Sequence, residues 1–561
     1  MTSWTLLILT IFILTFMSTV YELNAQSDSE LRFEVSFPSS IHPESITGRV
    51  FIVVSKENDP EPRFQTRRSR SSPFFGKDIQ SLSPGETAVI DDDVLGFPLN
   101  SIREIPPDEY FVQAFINIYT EFKRSDGHTI WLHNDQWEGQ QWNRSPGNLY
   151  SDVKKVRIDT ASAQSIRLVC GNVIPPIQIP PDTEWVKRIK FQSKILSEFW
   201  GQPIYIGATI LLPKDYNKDR KTFYPVNYQQ GHFSLNAPNG FRTDDPGEND
   251  RRGHSGYEFY KTWISDACPR MITVTFQHPC PYFDDSYAVN SANCGPYGDA
   301  IMSELIPEIE SRFRIIREPW ARILEGGSTG GWEALALQIF HPDFFGGAFA
   351  YCPDPIEFSD VEGVHVYEDK NAFHRKVGWR EVPIPDSRRA DGSLILTSQQ
   401  IQQYEHVLGT KGRSGEQWDI WQAVWGPVGE DGYTQLLIDK VTGKIDPQVV
   451  QYWKDHYDLK VYLEKNWAAV GPKIAGKLYI FTGDMDTYYL NNPVHRFQEF
   501  LARTRDPHVP GFFMYAPRKI HCWTGPFTPL ERIQFIANHI IKNAPKDEKT
   551  PWWTKRQEQN R

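Results

Sequence analysis

One stretch constrains this chain more than any other: Arg322-Ile323-Leu324-Glu325-Gly326-Gly327-Ser328-Thr329-Gly330-Gly331, running on into Trp332-Glu333-Ala334-Leu335-Ala336-Leu337. A short apolar run that reads as a strand enters a Gly-x-Ser-x-Gly turn, and a run rich in Ala and Leu that reads as a helix leaves it. Where strand and helix nearly touch there is no room for a side chain, which accounts for Gly326 and Gly330. A serine hydroxyl is a poor nucleophile at neutral pH. It must be held clear of its own backbone, beside a base, with NH donors aimed at the oxyanion it creates. A turn of this kind supplies the first condition, and the NH of Thr329 is placed for the third.

The rest of the second half agrees with a strand–turn–helix unit. From residue 185 onward strands and helices alternate. Arg188 to Leu196 and Ile204 to Leu212 read as a hairpin pair with Trp200-Gly201 in the turn, followed by strands at Phe223 to Tyr228, Met271 to Phe276, Arg322 to Glu325, Phe345 to Tyr351, Lys477 to Thr482 and Gly511 to Tyr515. A final helix opens at Thr528-Pro529-Leu530-Glu531, a capping box with Pro in its first turn. Such alternation predicts an α/β fold, a doubly wound and mostly parallel sheet, over residues 185–545. A Trp-rich insertion fills residues 355–443, and residues 546–561 form a polar tail.

Before residue 165 helical periodicity is absent. Leu31 to Phe37 alternates strictly, and Ile46 to Val54 and Glu109 to Tyr119 read the same way, so residues 27–165 are expected to form a small β-sandwich of immunoglobulin-like architecture, with Arg67 to Ser72 as an exposed loop. Trp131, Trp137, Trp142 and Tyr150 are expected to pack this domain against the next one. Residues 166–184, containing Ile174-Pro175-Pro176 and Pro180-Pro181, read as a stiff linker. Trp4 to Val20 is an apolar run followed by a peptidase-type site after Ala25, so residues 1–25 read as a signal peptide and the mature chain as secreted, the alternative being an uncleaved membrane anchor. No second run of that length occurs. With a net charge of −10 over 561 residues and no concentrated basic face, a nucleic-acid partner is excluded. The sequence gives no oligomeric state.

Two strand ends after Ser328 carry groups that can complete a catalytic set. Leu478 to Gly483 opens into Asp484-Met485-Asp486, where Asp486 has cleared the sheet and Asp484 is the weaker candidate. Phe512 to Ala516 leads to His521, placed to take the serine proton while Asp486 orients its ring. His495, His508 and His539 fit less well. The second oxyanion donor is expected from the loop Gly231-His232-Phe233, through the NH of His232 or Phe233. Trp418 and Trp421 are candidates for the substrate pocket, since an insertion that leaves the sheet at this edge folds over or beside the site.

Three segments together carry a resemblance: Tyr224-Pro225-Val226 to Gly231-His232, Gly298 to Glu310, and Gly326 to Gly331. The chain resembles the esterase D-like group of α/β-hydrolases, similar to siderophore, feruloyl and acetylxylan esterases and mycolyltransferases. The resemblance implies a serine triad and ester hydrolysis with no cofactor and no metal, acting on a small-molecule or glycan ester. Gly-His stands where that group has His-Gly. An acyltransferase uses the same acyl-enzyme, and a polysaccharide-binding protein could keep the same scaffold without catalysis, although such a scaffold has no physical need for all of Ser328, Asp486 and His521. Six cysteines suggest Cys352–Cys522 and Cys280–Cys294 as disulfide pairs.

Overall fold

The computed structural model describes residues 31–160, 162–247, 249–549 and 551–553. The expected signal peptide lies outside them, as does the end of the polar tail.

The N-terminal region is all-β. Leu31–Ser36 pairs antiparallel with Ala88–Ile90 and parallel with Gln164–Val169 in a small sheet. Ile46–Ser55 lies inside a larger one, antiparallel to both Phe74–Leu82 and Asp108–Lys123. The two sheets face each other across Phe33, Val35, Val50, Ile52, Val112 and Ala114, all buried. This region runs to Val173 rather than ending at residue 165, because Gln164–Val169 and Asn172–Val173 are paired strands. Ile166 and Leu168 point inward and their neighbours outward, so the expected linker starts only at Ile174.

The large sheet is buried on its other face as well. Phe51, Val53, Phe74, Phe97 and Phe115 point away from the sandwich and join the core of the second domain. Trp142 stacks on Phe51 at 4.5 Å between ring centroids and meets Phe115 edge-on at 5.0 Å. Val50-Phe51-Ile52-Val53-Val54 is therefore a continuous apolar run serving two interfaces, the pattern of a strand covered on both sides.

The second domain is a single eight-stranded sheet of β1 (Val186–Ser193), β2 (Ile204–Leu211), β3 (Val226–Gln230), β4 (Ile272–Gln277), β5 (Arg322–Gly327), β6 (Gly347–Tyr351), β7 (Leu478–Gly483) and β8 (Phe512–Ala516), in the order β1-β2-β4-β3-β5-β6-β7-β8. The pairings of β2 with β1 and β4 are antiparallel and the others parallel, so the expected α/β architecture is present with an antiparallel edge. The β1–β2 connection is not a tight hairpin. Ser193 ends β1 and caps a helix, Lys194–Trp200, which Gly201 closes at φ 65°.

The insertion carries two short hairpins and two helices, α1 (Ser398–Leu408) and α2 (Gln417–Trp425). It leans on the β region. Tyr404 of α1 packs edge-on against Phe74 and Phe97, and buried Arg49 donates to the carbonyl of Val407 at 2.9 Å while pairing with Asp78 at 2.6 Å. No described helix is long and apolar enough to cross a membrane.

Candidate active site

Ser328 stands between β5 and the helix Thr329–Phe340 with φ 57° and ψ −124°, a conformation that costs a non-glycine residue strain and persists only where the surroundings enforce it. They do so at van der Waals range. A Cβ on Gly326 would lie 2.1 Å from the carbonyl oxygen of Gly330, and one on Gly330 would lie 2.1 Å from that of Gln230, at the end of β3. The Ser328 NH donates to Tyr351 O at 2.9 Å, tying the turn to β6.

Asp486 and His521 converge on this serine. His521 Nδ1 lies 2.9 Å from Asp486 Oδ2, and His521 Nε2 lies 2.9 Å from Ser328 Oγ. The fully buried Asp486 carboxylate is fixed through Oδ1, which accepts the NH of Tyr488 at 2.9 Å and of Leu490 at 3.3 Å. Burial opposes a charge on His521, but the Asp486 carboxylate, helped by Cys522, outweighs it and lifts the imidazole to about 10. Asp484 is exposed and faces the other way, accepting the Arg518 NH at 2.5 Å and so holding the loop that carries His521.

The expected oxyanion residues divide. Thr329 is the first residue of its helix, so its NH has no acceptor within that helix and is free to serve a ligand. His232 lies on the cavity wall, with Nδ1 3.0 Å from Asp284 and 3.4 Å from Asp285. Burial works against its charge, yet the Asp284 carboxylate prevails and holds it well above the ordinary histidine range. These three donors are close enough to hold a cation, but the ion pair with a charged imidazole already satisfies the same geometry. The Phe233 side chain leaves the site and packs edge-on against Trp137 at 5.1 Å.

A cavity of about 800 Å³ opens above Ser328. Three parts of the chain wall it: the strand ends, the insertion through Glu416, Gln417 and Trp421, and the β region through Thr66, Arg68 and residues 140–143. The loop expected to be solvent-exposed therefore turns Arg68 inward, 3.7 Å from Glu416 and with a side chain only 23% exposed. Burial disfavours its charge, and Glu416 and other nearby acids more than restore it. Trp421 is on the wall as expected, its indole NH donating to Tyr287 OH at 2.5 Å. Trp418 is not on it. It packs beneath Trp421 at 5.2 Å, fully buried, as part of the insertion's own core.

Sequence reasoning also missed a third strand end. Asp354 follows β6 and places Oδ1 3.1 Å from Ser328 Oγ. Its signal was present: like Asp486 after β7, it stands three residues beyond the last residue of its strand, at the edge where Ser328 emerges. Both expected disulfides are absent, because all six cysteines are free. Cys352 is buried while Cys522 is exposed, and the Cys280 thiol, beside that of Cys294, donates to Asp285 O at 3.4 Å.

Residues 204–436 match the family described as "Putative esterase". The matched segment contains Ser328 and most of the insertion and ends before Asp486 and His521. Similar solved structures include a ferulic acid esterase, 17% identical, covering 64% of this chain and 99% of that one with a TM-score of 0.36. A fluorophosphonate-binding serine hydrolase of Staphylococcus aureus is 15% identical, with coverage of 63% and 98% and a TM-score of 0.33. An S-formylglutathione hydrolase from Agrobacterium tumefaciens is 13% identical, with coverage of 65% and 97% and a TM-score of 0.31. No curated protein sequence matches the chain. On the family match, residues 204–436 are an esterase domain and the protein is a carboxylic-ester hydrolase built on an α/β sheet with an all-β region before it.

Proposed function

We propose that the protein is an exported serine esterase that works through an acyl-enzyme on Ser328, with His521 as base and Asp486 as its orienting acid. The observation that supports this reading is the unbroken chain from Asp486 Oδ2 through both ring nitrogens of His521 to Ser328 Oγ, each contact 2.9 Å. Neutral His521 takes the serine proton as Oγ attacks the ester carbonyl, and Asp486 stabilises the imidazolium that forms. The NH of Thr329, at a helix N-terminus, and an NH from the loop after β3 at His232 receive the oxyanion. The imidazolium then protonates the leaving alcohol, and water repeats the sequence in reverse to free the acid. An alcohol entering the same cavity gives acyl transfer by the same steps.

The wall favours a polar ester. Gln140, Asn143, Gln229, Gln417, Arg68 and Arg532 present amide and guanidinium groups, with Trp142, Tyr404 and Trp421 between them. Amides and flat rings suit a polyhydroxylated partner such as a glycan ester better than a plain alkyl chain. A fluorophosphonate probe is expected to label the wild-type protein and leave Ser328→Ala unlabelled, with an unchanged melting temperature and loss of hydrolysis of a small aryl ester. Near-wild-type turnover in Ser328→Ala would assign the nucleophile elsewhere.

A further inference from the structure

Ser328 Oγ carries one proton and stands between two hydrogen-bonding side chains, His521 at 2.9 Å and Asp354 at 3.1 Å. Asp354 is held as deliberately as Asp486. Its NH donates to Ser328 O at 3.1 Å, and its second oxygen, Oδ2, accepts from Tyr287 OH at 2.6 Å, Thr329 Oγ1 at 3.0 Å and Gln417 Nε2 at 3.1 Å. Three donors on one oxygen favour the carboxylate anion, working against burial, which at 2% exposure pushes the Asp354 carboxyl up from its ordinary value.

Counting protons then gives two arrangements. With His521 neutral, Nε2 is an acceptor, and two acceptors compete for the single serine proton. With His521 protonated, every group has a partner: Nδ1–H donates to Asp486, Nε2–H donates to Oγ, and Oγ–H donates to Asp354. We propose that Asp354 is a second acid of this site, which accepts the serine hydroxyl while His521 is protonated, holds the nucleophile at rest, and sets the pH at which Ser328 is handed to His521. This inference rests on the reading of Ser328 and His521 above. The step breaks no covalent bond except N–H: Nε2 loses one proton to solvent, and the serine hydroxyl rotates from Asp354 to the vacated nitrogen.

Other ionisable groups also surround the pair. Tyr287, Glu333, Glu362 and His232 act on or feel Asp354, and Asp486, Tyr488, Cys352 and Cys522 face His521. Among the described residues, Asp354 and His521 are the two whose side chains hydrogen-bond Ser328 Oγ.

The test is the pH dependence of fluorophosphonate labelling in Asp354→Asn. The amide oxygen can take the three donors, so the NH2 faces Oγ as a donor, and the serine proton then has an acceptor in this set only while His521 is neutral. With the anion gone the imidazolium loses a stabilising charge, and the acid limb of the labelling rate is expected to move down by about one pH unit, the size of one screened charge pair. At the foot of the wild-type limb the variant should then label about ten-fold faster. A limb that stays in place, even with a lower plateau, overturns the proposal, because a purely structural residue would change the plateau or the melting temperature and not the limb. Should Asp354→Asn fail to fold, Gln417→Leu carries the test: removing one donor from Oδ2 weakens the anion and should move the limb the same way by less, whereas an unmoved limb again overturns it. Absence of labelling in the wild type at any pH would instead remove the Ser328–His521 reading on which the inference stands.

Discussion

Asp484 and Asp486 are two positions apart on one loop and do unlike work. Asp486 is fully buried against His521, while Asp484 is exposed and accepts a backbone NH of the loop that carries that histidine. Asp486→Asn is therefore expected to lower kcat by a factor on the order of 10⁴, the scale of a mis-oriented imidazole. Asp484→Asn should cost about ten-fold at most, since a neutral amide oxygen still accepts the Arg518 NH. Comparable losses in both would move the orienting acid. The sign of the pH effect follows as well. The carboxylate raises His521 to about 10, the reaction needs the neutral ring, and so kcat/KM falls as pH drops below that value. Removing the carboxylate should shift this limb downward in Asp486→Asn, measurable in the residual activity. Ser328, Asp486 and His521 were legible because each follows an apolar run and the order serine, acid, histidine is restrictive. Asp354 was missed although it stands at the same offset from its strand as Asp486, because β6 reads as running straight into the insertion at residue 355, which left only the two later strand ends to be weighed.

Helix α2 lies between the cavity and the insertion's core, and its tryptophans divide accordingly. Its start is fixed by Glu405 of α1, whose carboxylate accepts the NH groups of Trp418 and Asp419 at 2.9 Å each and pairs with buried Lys440 at 2.9 Å. Trp418 sits on the core side, so Trp418→Ala should cost about 3–5 kcal/mol of stability and lower activity on small and bulky esters alike. Trp421→Ala should lose more on a bulky glycosyl or aryl ester than on a small acetyl ester, since its ring is on the wall beside Tyr287. Thermal melts together with specificity constants on both esters separate the two. Equal discrimination by both variants would return Trp418 to the pocket. The insertion's Trp content was visible in the sequence. Which ring faces the cavity was not, because positions 418 and 421 are neighbours on one helix face and only tertiary packing ranks them by depth.

At the scale of the whole molecule, the β region is not an appendage. Alternation in Leu31 to Phe37 revealed its strands, and the unbroken apolar run Val50 to Val54 signalled a second covered face that strict alternation does not describe. Excising it would uncover rings of the remaining domain, such as Tyr404, which packs on Phe74 and Phe97, and Trp200, which packs on Phe122, each large apolar side chain losing about 1.5–3 kcal/mol of burial. A chain of residues 185–553 is thus expected to be insoluble or unlabelled by a fluorophosphonate, and the intact protein to melt in one transition by calorimetry. A soluble fragment that labels normally would show the two parts to be independent. The cavity above Ser328 is walled by stretches near residues 66–68, 140–143 and 416–421, while the reacting groups come from strand ends elsewhere in the sequence. What the enzyme accepts and how it reacts are thus written in separate places along the gene, so descendants of this chain can change diet by altering two surface loops and one helix while the reaction itself is inherited untouched.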